Sequence, residues 1–232
     1  MKRAVLTLAI AAAPLLSQAT EFDVEIHNPT RGLYFTPLLV AAHPEDVSLF
    51  ETGNAASSEL QAMAEGGNLT GLVNLLNAAG ATIDENPAAG LLAPGQSATA
   101  TLNTNNAVAN TRLTVVAMLL PTNDGFLALS GLDIPTEPGT YTYHLNAYDA
   151  GTEANDEVRG SGEPGQPGIP VPPPLDPILG SNGTGVENSA EGYVHIHRGN
   201  LGDTTPDGGA SDIVSTLHRW LNPVATVTVT VK

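Results

Sequence analysis

The last stretch of the chain, Val224 to Val231, alternates Val and Thr almost without a break. A period of two puts successive side chains on opposite faces, so this stretch is predicted as a strand with one buried and one wet face. Phe22-Asp23-Val24-Glu25-Ile26 repeats the pattern with acids in the polar positions. Further strands are predicted over Leu33 to Ala42, with Pro37 forcing an edge position or a bulge, and over Ser97 to Leu102. Arg112 to Leu120, a Val/Leu/Met run stopped by Pro121, reads as a fully buried strand, and Tyr141 to Leu145 and Tyr193 to Arg198 as two more. Short helices are predicted at Ser57 to Glu65 and at Leu69 to Ala79, the second with Asn68 as N-cap and Gly80 as stop, and a further one at Ser211 to Leu221. The fold class is therefore all-β: an antiparallel β-sandwich with two or three short helices.

The first nineteen residues have a basic start (Lys2, Arg3), an apolar run from Ala4 to Leu16 and small residues at Ser17 and Ala19, the three parts of a secretory signal peptide cut after Ala19. The domain is then 20–232, secreted or periplasmic, and no later segment is long and apolar enough to span a membrane. Of the 232 residues 24 are acidic and 8 basic, a net charge of −16, which argues against a nucleic-acid or anionic-membrane partner, since either needs a basic patch. The absence of cysteine excludes disulfides, thiolate metal sites and a cysteine nucleophile. Between Gly151 and Gly192 runs a Gly/Pro/Asn/Glu segment containing PGQPGIPVPPP, of which about 154–191 is expected to be one long mobile loop.

Two constellations could carry chemistry. Pro121-Thr122-Asn123-Asp124-Gly125 and Asp149-Ala150-Gly151-Thr152-Glu153 each follow a predicted strand, so both fall in end loops. Asp124, Asp149 and Glu153 converging there would make an all-oxygen site suited to calcium, with Gly151 allowing the tight turn; solvated loop carboxylates are the plainer alternative. His195 and His197, two apart on a strand, share a face and could chelate zinc or copper with Asp203, Asp207 or His218 as third ligand, or else steady the GYVHIHRG turn. Val194 and Ile196 would then pack inward. A hydrolase using this pair is the alternative function, but no G-x-S-x-G elbow, H-E-x-x-H or P-loop is present. Trp220 reads as core packing at the end of the last helix.

Tyr34-Phe35-Thr36-Pro37, the stretch VAAHPEDVSLFETGNAAS, Ala117 to Asp124, DAGTE at 149–153, GYVHIHRG and the closing Trp220 to Ala225 together resemble the spondin N-terminal domain family in its bacterial form. The resemblance implies a C2-like β-sandwich with a divalent cation, usually calcium, in its end loops. It implies Asp124, Asp149 and Glu153 as the ligands, with Gly125 standing where the family has Trp and Glu153 where it has Asp. It further implies a non-catalytic interaction or adhesion module that meets a protein or glycan ligand at the cell envelope.

Overall fold

The computed structural model describes residues 21–232, so the expected signal segment 1–19 lies outside the described residues. The elements in chain order are β1 (Glu21–His27), β2 (Tyr34–Phe35), β3 (Leu39–His43), α1 (Ser58–Gly66), α2 (Thr70–Ala78), β4 (Thr82–Glu85), β5 (Ser97–Asn103) and β6 (Arg112–Leu120). There follow β7 (Gly125–Asp133), β8 (Gly139–Asp149), β9 (Arg159–Gly160), β10 (Ile169–Pro170), β11 (His195–Ile196), α3 (Ser215–His218) and β12 (Ala225–Val231). Eight strands form one antiparallel path, β4-β3-β6-β7-β8-β12-β1-β5, with β2 added to β6 and β11 to β8. The path curls until its two edges meet, where the Thr101 amide of β5 donates to Asp84 Oδ2 of β4 at 3.3 Å. The fold is all-β with few helices, a sheet rolled almost closed on itself.

The alternation in β1 and β12 has the consequence expected of it. Phe22, Val24 and Ile26 and, from the neighbouring strand, Val227, Val229 and Val231 point into the rolled sheet, while the threonines between them are partly wet. The continuous run of β6 has a different cause. Leu113, Val115, Ala117 and Leu119 enter that same core, whereas Val116, Met118 and Leu120 enter a second core outside the sheet. Leu60 and Met63 of α1 and Leu72 and Leu76 of α2 cover this second core, so β6 has no face left for polar residues. Ser57 caps α1 by accepting from the Leu60 amide at 3.1 Å, and Gly67 ends it with φ +68.

Four sequence expectations change. Leu33 to Ala42 is two strands, because Pro37 has no amide for the ladder and the chain breaks between Phe35 and Leu39. β4 and β7 were not expected, and β7 is interrupted by a bulge at Ser130-Gly131, where Gly131 takes φ +61. The helix at Ser211 to Leu221 is a single turn, α3. The segment after Glu153 has built structure of its own: β9 and β10 pair in parallel, Ile169 and Leu175 are fully buried, and the Arg159 guanidinium donates to Gly180 O and Asp176 Oδ1.

Register fixes the two ends of the sheet. Val231 pairs with Phe22 on one side and Gly139 on the other, so the first and last described strands meet at one end. β8 then runs away from that end and stops at Asp149.

Candidate metal centre

Asp124 occupies the turn between β6 and β7, and Asp149 is the final residue of β8. The two are brought together because Gly125 is the register partner of Asp149 and the Ala150 amide donates to Asp124 O at 3.2 Å. Both side chains are buried. Asp124 Oδ2 accepts from the amides of Thr152 (2.8 Å) and Glu153 (3.1 Å), but Oδ1 is buried without a hydrogen-bond partner. Burial, and then the neighbouring Asp149 carboxylate, push the Asp124 pKa up to about 8. Asp149 Oδ1 accepts from the Gly151 amide and Oδ2 from Asn155 Nδ2, both at 2.8 Å. Gly151 has φ +66, and a Cβ there would lie 2.3 Å from Tyr193 O, so the turn and the close approach both require glycine.

Glu153 is close in chain but its carboxylate turns elsewhere. Oε1 accepts from Asn123 Nδ2 at 2.9 Å and from the Gly168 amide. Its pKa is pushed up to about 7, by burial first and then by Glu65 and Asp156, with the two hydrogen bonds opposing. The donors that do gather around Asp149 are Glu191 and His195: one ligand atom from each of the three lies within 4.8 Å of the others. Sequence reading passes over Glu191, although Glu191-Gly-Tyr-Val-His195 carries the signal of an acid four residues before a strand histidine. Asp203, Asp207 and His218 do not join the pair. Asp203 caps its own loop through Thr205, Ala210 and Ser211, Asp207 is held by Asn182, and His218 Nδ1 accepts from the Val214 amide.

The two imidazoles face the same carboxylate, as residues two apart on a strand should. His195 Nε2 is 3.7 Å from Asp149 Oδ1, and His197 Nε2 is 3.9 Å from Asp149 Oδ2. They are not equivalent. His195 Nδ1 lies 3.0 Å from Ile196 O, a carbonyl that can only accept, so Nδ1 carries the proton and Nε2 offers a lone pair. His197 Nδ1 instead accepts from the Gly199 amide at 2.9 Å, which places the proton of the neutral ring on Nε2. Burial holds His197 neutral, with its pKa pulled down to about 3. On the opposite face the expectation is half met: Val194 is buried, but Ile196 is 51% exposed. The covering loop pairs only with Val194, through Gly53 and Asn54, and leaves Ile196 uncovered. Trp220 packs against the core and its ring centroid is 4.9 Å from that of His197.

No curated protein matches the chain in a sequence comparison. A family profile, Spondin_N, matches residues 20–171, a span that includes Asp124, Asp149 and Glu153 and stops short of Glu191, His195 and His197. Among the described residues no helix is long and apolar enough to cross a membrane. On a match over more than half its length, carried on an antiparallel all-β fold, the chain belongs to the spondin N-terminal domain family, an extracellular-type and in general non-enzymatic family.

Proposed function

We propose that this chain is an exported, non-catalytic interaction module whose loop end is fixed by a divalent cation at Asp124 and Asp149, calcium being the ion the family resemblance implies. The observation that carries the reading is Asp124 Oδ1, an oxygen buried without a partner beside a second buried carboxylate. Such a pair repels, and a divalent cation removes that repulsion only when the fold holds the two together. Glu153 would join only by giving up Asn123 and Gly168, so backbone oxygens and water complete the shell in this reading. Once fixed, the loop end presents Tyr193 and Ile196, both about half exposed, as the apolar part of a surface for a protein or glycan ligand at the cell envelope.

Thermal melting of the chelator-treated protein tests this. At a calcium concentration a hundredfold above Kd the gain is about 2.7 kcal/mol, or roughly 5–10 °C for a domain of this size. Magnesium, which resists dehydration, should give much less. Asp124→Asn and Asp149→Asn should each abolish most of the calcium shift; a wild-type response in either variant defeats the assignment.

A further inference from the structure

We infer that Asp149, Glu191 and His195 form a binding site for a first-row divalent transition ion, of which zinc is the representative, on the outer side of the carboxylate pair. The site extends the reading above in that it shares Asp149 with it, but its donor set is different.

Three observations converge. The first is the donor chemistry. His195 Nε2 offers a lone pair toward Asp149 Oδ1 at 3.7 Å and Glu191 Oε1 at 3.8 Å, and both His195 Nε2 and Glu191 Oε2 are buried without hydrogen-bond partners. A protonated His195 would close on one carboxylate to about 2.8 Å. Two ligands each about 2.1 Å from a tetrahedral ion stand roughly 3.4 Å apart, so the two His195 spacings contract by a few tenths of an ångström, and the two carboxylates, with oxygens within 4.8 Å of each other, draw together around the ion. Neutral imidazole with carboxylates suits zinc and its neighbours; calcium prefers oxygen alone.

The second is the support behind each ligand. His195 Nδ1 donates to a backbone carbonyl, the arrangement that fixes a ligating histidine in the right tautomer. Asn155 Nδ2 bridges Asp149 Oδ2 (2.8 Å) and Glu191 Oε1 (3.3 Å), tying the two carboxylates to each other. His197, only 2% exposed in its side chain, directs an Nε2 proton toward Asp149 Oδ2 from 3.9 Å and has no lone pair left on either nitrogen. With its Nδ1 lone pair taken by the Gly199 amide it is not a further nitrogen ligand, which separates this site from a two-histidine chelate.

The third is access. The Glu191 and His195 side chains are 26% and 27% exposed while Asp149 is 1% exposed, so the two rim side chains, whose Oε2 and Nε2 are themselves buried, have room on the solvent side to swing aside and admit an ion onto the buried carboxylate. Three protein ligands leave a position for water or for an oxygen of a partner.

The test is calorimetric titration of the metal-stripped full chain with zinc chloride and, separately, with calcium chloride. One zinc per chain is expected, bound more tightly than calcium. His195→Ala and Glu191→Gln should each weaken zinc at least about tenfold, the smallest loss expected even for a contact outside the ligand set. His144→Ala, at an exposed site on β8, should leave zinc binding unchanged. Because a substitution can disturb the fold, cobalt(II) absorption of the unaltered chain gives a second reading: four- or five-coordinate bands displaced by one equivalent of zinc support the site. Zinc affinity that survives both substitutions, or octahedral cobalt bands alone, overturns it. A calcium response without zinc binding defeats this inference and leaves the module reading standing; zinc binding without a calcium response does the reverse.

Discussion

Across the β11–β8 ladder His195 is the register partner of Asp149, and its Nε2 stands 3.7 Å from Asp149 Oδ1. A two-residue strand thus delivers a lone pair to the one buried carboxylate that ends a neighbouring strand of eleven residues. The loop that carries His195 there is anchored through Gly151, whose carbonyl accepts from the Gly192 amide at 2.8 Å.

That anchor gives the first prediction. Gly151→Ala must place a Cβ against Tyr193 O at a positive φ, so it should cost roughly 1–3 kcal/mol and lower Tm by about 3–10 °C. Cation affinity should fall with it, because residues 191–195 are pushed away from Asp149. Denaturant and thermal melts of the variant measure the first effect, and an unchanged Tm would contradict the packing described.

A second prediction concerns Glu153. Its folded pKa of about 7 lies above the ordinary 4.5, so in that interval the folded state holds a proton that the unfolded state has lost. The stability it contributes is complete below pH 4.5 and is lost as pH rises through 7, at no more than about 1.4 kcal/mol per pH unit. In chelator, Glu153→Gln should therefore gain on the wild type as pH rises across this window, since a Gln Oε1 can still accept from Asn123 and Gly168. Parallel curves for the two proteins would show that Glu153 does not titrate in this way. Asp124 has the same sign and extends the wild-type decline toward pH 8.

His218 carries the opposite sign. Burial pulls its pKa from 6.5 down to about 4, so over that range the unfolded chain binds a proton that the folded chain refuses. Its contribution is complete above pH 6.5 and is lost as pH falls toward 4. His218→Asn keeps an acceptor for the Val214 amide and should lose less stability on acidification than the wild type does. Melts at pH 6.5, 5.5 and 4.5 decide it, and an equal or steeper acid loss in the variant refutes the assignment.

How much of this was readable beforehand depends on what each residue answers to. The alternation of Phe22 to Ile26 and of Val224 to Val231 is set by one buried face, and the run at Arg112 to Leu120 by two, so burial alone writes those patterns. β7 was hidden because its Ser130-Gly131 bulge looks like a turn, although Gly131 N donates to Thr114 Oγ1 within the sheet at 3.0 Å. The helix expected at Ser211 shrank because its caps are used elsewhere: Ser211 Oγ donates to Glu157 Oε2, and Asp212 accepts from the Arg159 and Gly183 amides. The meeting of Asp124 with Asp149 was legible from loops that follow strands. The turning aside of Glu153 and the arrival of Glu191 were not, because both depend on long-range contacts of the 154–191 segment.

That segment supplies a fourth prediction. Residues 161–167 are almost all exposed, whereas Gly168, Ile169 and Leu175 are buried. Limited digestion with subtilisin should cut first within 161–167, and mass spectrometry of the earliest fragments locates the cut. A first cut inside β6 would contradict the burial of that strand.

The register of β8 and β12 gives the molecule a direction. Phe22, Val231 and Gly139 sit together, and β8 carries the chain from there to Asp149 over its 11 residues, a rise of about 33 Å. Anything tethered beside residue 21 or residue 232, whether a fusion partner, a bead or a surface, is thereby attached at the tail of the molecule. The acidic loops, with His195 and Tyr193, are left as its outward-facing head, so immobilising the protein through either tail position leaves that head open to solvent.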